Sequence, residues 1–82
     1  MHGITVVLET TGPRTYVGRF DSQDDGGVHL LDVAIHDGGD PALPKDEFIR
    51  RTIKFGVRVE RKHLLVPPGE VASVVPLNTV NG

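Results

Sequence analysis

Ile4-Thr5-Val6-Val7-Leu8-Glu9, then Thr10-Thr11-Gly12-Pro13, then Thr15-Tyr16-Val17-Gly18-Arg19-Phe20 sets the period of this chain. Ile4, Val6 and Leu8 alternate with Thr5, Val7 and Glu9, the period-two pattern of a strand with one face on a core. Gly12 permits the turn that follows, and Pro13 cannot donate to a ladder. Tyr16, Gly18 and Phe20 repeat the alternation as a second strand. A glycine in mid-strand marks a bend, a bulge or a close backbone approach.

Working outward, Asp24-Asp25-Gly26-Gly27 reads as a tight hairpin turn. Residues 28–35 form a third strand, with Leu31, Val33 and Ile35 on one face and Val28 and Leu30 on the other. Residues 36–46 are a loop carrying Gly38, Gly39, Pro41 and Pro44. Ile53, Phe55, Val57 and Val59 then alternate with Lys54, Gly56, Arg58 and Glu60, which predicts a fourth strand over 52–59. A bulge near 60–62 lets Leu64-Leu65-Val66 resume it, and Pro67-Pro68-Gly69 ends the pairing. Val71 to Pro76 is a short last strand. Asp46 to Arg51 has room for one helical turn, and no segment shows a sustained helical period.

The expected fold is mostly all-β: a five-stranded, strongly bent antiparallel small barrel without an N-terminal helix. Residues 1–77 make one domain and 78–82 a frayed tail. Closure would remove the exposed edges that such strands present.

At 82 residues the core is thin, and the absence of cysteine excludes disulfides and thiolate metal sites. Oligomerisation is the remaining source of extra burial. No stretch approaches the roughly 20 apolar residues that cross a bilayer, and Met1-His2-Gly3 does not open a signal peptide, so a cytoplasmic location without membrane contact is expected. Net charge is −2, but it is divided unevenly. Residues 1–40 carry Glu9, Asp21, Asp24, Asp25, Asp32, Asp37 and Asp40 against Arg14 and Arg19. Residues 45–62 carry Lys45, Arg50, Arg51, Lys54, Arg58, Arg61 and Lys62 against Asp46, Glu47 and Glu60. Such a split marks a binding face, lets subunits pair by opposite charge, or is simply solvated.

The apolar alternation of Ile4, Val6 and Leu8, the turn Gly12, then Tyr16, Gly18, Phe20, Asp24 and Leu31 resemble the first motif of the Sm-like (LSm/Hfq-type) family. Gly18 and Asp24 keep the family spacing of six, with Phe20 at its leucine position. Val71-Ala72-Ser73-Val74-Val75-Pro76 is similar to the closing Ile-Ser-Thr-Val-Val-Pro of bacterial members. The resemblance covers 4–36 and 66–77. It implies a homo-oligomeric ring, a hexamer or heptamer, in which the fourth strand of one subunit pairs with the fifth of the next. Here that places Ile53, Phe55 and Val57 against Val71, Ser73 and Val75 of a neighbour. The family's RNA pocket is not kept: its asparagine position is Val28, and Pro67-Pro68-Gly69-Glu70 replaces the cationic or aromatic residues before the last strand.

Any RNA contact is therefore expected on the basic segment, through Lys54, Arg58, Arg61 and Lys62, with Asp25 and His29 near the lost asparagine position. Stacking residues are scarce: Phe55 shares the core phase, which leaves Tyr16, Phe48 and His63, and Tyr16 also reads as core. His36-Asp37-x-x-Asp40 in the glycine-rich loop suggests at most a weak hard-cation site, against a plain solvated loop. No metal or cofactor is expected. Two serines, no cysteine and no phosphate-cradling glycine run give catalysis no footing, so the chain is not expected to be an enzyme. The expected function is non-catalytic RNA binding by an Sm-like ring, with self and single-stranded RNA as partners. The alternatives are a scaffold or protein-interaction barrel with no nucleic-acid role, and a monomeric SH3-like barrel that binds peptide.

Overall fold

Period-two alternation becomes strand where it was expected in the first half of the chain. A computed structural model describes residues 3–39 and 42–79. In it β1 (Thr5–Thr10), β2 (Arg14–Asp24), β3 (Gly27–Asp37), β4 (Arg61–Val66) and β5 (Val71–Pro76) form one antiparallel sheet in the order β4-β3-β2-β1-β5. One helix, α1 (Lys45–Phe55), joins β3 to β4, and single 3-10 turns occupy Pro68–Glu70 and Leu77–Thr79. The second of these turns includes Asn78 and Thr79, the first two residues of the expected tail 78–82, and residues 80–82 lie outside the described residues. Among the described residues no helix is long and apolar enough to cross a membrane.

The bend in the sheet has a residue-level cause. Val17 pairs with Ala34 and Arg19 with Leu31, so Gly18 alone faces both Asp32 and Val33. Asp32 takes a positive φ of 52° to accommodate the extra residue, a β-bulge. The bulge changes the phase of β3. Val28 and Leu30 before it and Val33 after it all enter one cluster with Val6, Leu8, Tyr16 and Val66, against which Ile35 also packs. This corrects the expectation that Leu31, Val33 and Ile35 share a face opposite Val28 and Leu30.

Leu64 of β4 and Val71 and Val74 of β5 pack on that same cluster, although β4 and β5 stand at opposite ends of the strand order. The sheet must curl for both ends to share a core. It does not close, since β4 and β5 form no ladder with each other. The second face carries Val7, Val17 and Ala34, covered by Phe48 and Ile49 of α1 with Leu43, Val57 and Leu77 alongside.

The predicted strand over 52–59 is overturned: residues 45–55 are helical and 56–60 are irregular. Pro44 precedes the helix, Asp46 and Glu47 sit in the first turn and Lys54 in the last, each matching the helix dipole. Gly56 stops it at φ 91°, its N–H bonding back to the Thr52 carbonyl at 2.9 Å. Phe48, Ile49 and Thr52 form the buried face. The Thr52 hydroxyl is satisfied by the Phe48 carbonyl at 2.8 Å. Burying Phe48 and Ile49 stabilises by about 1.5–3 kcal/mol each, which outweighs the β preference of the alternating residues after them.

Candidate functional site

The helix redistributes the basic segment. Lys54 lies in the last turn of α1, Arg58 in the irregular stretch after it, and Arg61 and Lys62 begin β4; all are exposed. Arg50 and Arg51 are both engaged by Glu47, at 3.3 and 3.1 Å. The charges do not form one continuous stripe along a strand.

A groove of about 430 Å³ opens between α1, the chain after it and β3, lined by Ile35, Phe48, Arg51, Phe55, Arg58 and Glu60 among others. Glu60 is held by the Ile35 amide, which donates to its Oε2 at 2.8 Å. Arg51 and Arg58 provide cations at the groove. Phe55 was placed on the core phase by its alternation; instead its ring is 76 % exposed at the groove. Lys54 Nζ stands 5.3 Å from the Phe55 ring centroid, within range for a cation–π contact. Of the stacking residues expected from sequence, Tyr16 and Phe48 are buried, the latter against His36 with ring centroids 5.0 Å apart. The exposed aromatic was missed because its position was assigned to a strand.

Asp25 and His29 fall at the β2–β3 hairpin, where Asp25 and Gly26 form the turn and Asp24 pairs with Gly27. Gly27 is the glycine there with positive φ, and a Cβ on it would overlap the Val66 carbonyl, so β4 passes directly against the hairpin. Asp24 organises the end of the hairpin. Its Oδ1 accepts from the Gly26 amide at 2.9 Å and its Oδ2 from His29 Nε2 at 3.0 Å. These bonds, the Gly26 amide first, hold the Asp24 carboxyl below its ordinary pKa. His29 Nδ1 in turn lies 3.2 Å from Nε2 of His63 on β4. His29 is therefore joined to Asp24 and His63, while Asp25 is an exposed turn residue.

The residues expected at a subunit interface fall on α1, on the stretch after it and on β5. Ile53 and Phe55 are exposed on α1, Val57 packs on the face covered by α1, and Val71 packs on the inner core, the cluster around Leu8 and Leu30. Ser73 donates to Glu9 Oε2 at 3.3 Å, and Glu9 also pairs with Lys45. Val75 is exposed on β5, and Leu65 is exposed on β4. Among the described residues, the edge strands of the sheet are thus β4 and β5, each six residues long.

At the end of β3, His36 is buried and its Nε2 donates to the Leu43 carbonyl at 2.6 Å, while Asp37 Oδ1 accepts from the Gly39 amide at 2.9 Å. Both are committed to holding the chain, and Asp40 lies outside the described residues. Among the described residues no group of three or more His, Cys, Asp or Glu is placed to hold a metal ion. No family model matches this chain, and no curated protein or solved structure matches it either.

Proposed function

We propose that this chain is a non-catalytic binding module that assembles with copies of itself, β4 of one against β5 of the next, and takes single-stranded RNA at the groove beside Phe55. The observation that carries the reading is the pair of uncovered edges. β4 and β5 are equal in length, both curl around one core, and each presents an exposed large apolar side chain, Leu65 and Val75. Unpaired edges with apolar residues invite strand addition. A second copy supplies the complementary edge, and a chain this short gains burial from it. The Sm-like resemblance of residues 4–36 and 66–77 points to the same strand pairing.

Support for RNA comes from Phe55. A flat, exposed ring beside Lys54 and Arg58 supplies both things a single strand needs: a stacking surface and phosphate-neutralising charge. The test is binding of a labelled single-stranded RNA oligonucleotide over a range of salt. Phe55→Ala should weaken binding by about tenfold or more, as loss of one stacked base does. Lys54→Ala with Arg58→Ala should weaken it further and flatten the salt dependence. Affinity unchanged in both variants would remove RNA from the proposal and leave the assembly.

The second reading is a scaffold that self-assembles and binds no nucleic acid. The net charge of −2 and the pairing of Arg50 and Arg51 with Glu47 favour it. It predicts no retention on a polyanion resin at low salt, where an RNA binder is held and elutes as salt rises.

A further inference from the structure

His29 and His63 occupy adjacent strands as diagonal neighbours: His29 pairs with Leu65 and Leu31 with His63. Val28, Leu30, Leu64 and Val66 face the inner core, so both imidazoles lie on the outer surface of the sheet. Asp24 Oδ2 meets His29 Nε2 at 3.0 Å, and His29 Nδ1 meets His63 Nε2 at 3.2 Å. An ionised carboxylate only accepts, so the first contact fixes a proton on His29 Nε2. The second contact then holds one proton between two nitrogens. Either His63 donates to neutral His29, or charged His29 donates to neutral His63; in both cases one nitrogen of the pair must be bare.

The ring geometry separates a shared proton from a shared metal ion. The centroids are 5.4 Å apart with planes at 24°, and the nitrogens are 3.2 Å apart. These two separations differ by about one ring diameter, so the facing nitrogens lie close to the line joining the ring centres. An N–H···N bond needs that alignment. A tetrahedral ion needs both lone pairs turned toward a point off the line, and no third ligand converges there among the described residues.

We propose that Asp24, His29 and His63 form a proton-operated clasp on β4, which fastens the strand to β3 and the hairpin while the imidazoles share one proton and releases it when both are protonated. With two protons, N–H faces N–H across the contact, and the exposed His63 ring turns away. The charged groups on the surrounding elements act on the two steps differently. Asp24 on β2, next to the turn residue Asp25, favours the first positive charge. Asp32 on β3 is occupied by Arg19 at 3.4 Å, and Arg61 and Lys62, just before His63 on β4, oppose the second. The consequence for assembly rests on the edge-to-edge reading above, because β4 is the strand on which a second copy would pair; the clasp itself does not.

The test is an imidazole-resolved NMR titration of the full chain from pH 8 to 5, with amide exchange of β4 and native mass followed in parallel. The clasp predicts coupled titration of His29 and His63 in two steps more than about one pH unit apart. His63→Ala should convert His29 to a single step. After correction for intrinsic chemistry, β4 amides should exchange about tenfold faster at the acid end than at neutral pH in the wild type, and the His63→Ala variant should lose that pH dependence. Two independent titrations, or β4 protection that ignores pH, overturn the clasp. A monomer at every pH overturns the assembly alone, since the titration and the exchange still decide the clasp.

Discussion

A Cβ added to Gly18 would lie 3.0 Å from Cγ2 of Val33 and 3.1 Å from the Leu31 carbonyl oxygen. Those contacts are tighter than nearly all real side chains make, so Val33 or the Leu31 backbone would have to shift, and they occur where β3 carries its extra residue. Gly18 is thus the space into which the bulge folds, and the bulge brings Val33 into the same core as Leu30.

Gly18→Ala should accordingly destabilise the fold by about 1–3 kcal/mol, the usual cost of overpacking a fitted site. Denaturant unfolding should show a lower midpoint at unchanged slope. Gly27→Ala should cost more, because its Cβ would overlap the Val66 carbonyl and its φ of 126° disfavours a side chain.

Two phenylalanines separate the helix from the strand expected in its place. Phe48 is buried and Phe55 is exposed. Phe48→Ala should destabilise by about 3–5 kcal/mol, whereas Phe55→Ala should stay within about 0.5 kcal/mol of wild type. A strand over 52–59 with Phe55 in its core would reverse that order, and thermal or urea unfolding of the two variants distinguishes them.

The strands of the first half were legible because alternation and turn glycines act locally. The hairpin at Asp24–Gly27 and β5 over Val71–Pro76 fall where sequence placed them. The helix was misread although its signals are present: Pro44, the acidic pair Asp46-Glu47, Lys54 and Gly56 mark a start and a stop. Its buried face is only Phe48, Ile49 and Thr52, and the run Ile53, Phe55, Val57, Val59 imitates a strand. In the structure Ile53, Phe55 and Val59 are exposed, so that alternation reports no core. The link from His29 to His63 had no local signature. It depends on the pairing of β3 with β4, 34 residues apart along the chain.

Asp24 gives the fold an acid-sensitive element. Its folded pKa lies below the ordinary 3.8, so it stabilises the native state at pH values above that figure. The contribution is lost as pH falls through the lower folded value. Asp24→Asn should therefore differ most in stability from wild type near neutrality, and the two should converge in strong acid. Urea midpoints measured from pH 7 to 2 follow this directly; a gap of constant size across that range would speak against the Gly26 and His29 bonds as its source.

Blocking one edge tests the pairing from within the sequence. Val75 is exposed on β5, and Val75→Lys places a charge where a neighbouring strand would lie, a substitution that isolated edges tolerate. The variant should keep its fold by circular dichroism while losing self-association.

The native mass of the wild-type chain in solution, by light scattering or native mass spectrometry at pH 8, tests the central claim most directly. Edge-to-edge assembly predicts one species at a whole-number multiple of the chain mass, reduced to the monomer by Val75→Lys. A wild type that is monomeric at micromolar concentration would contradict it.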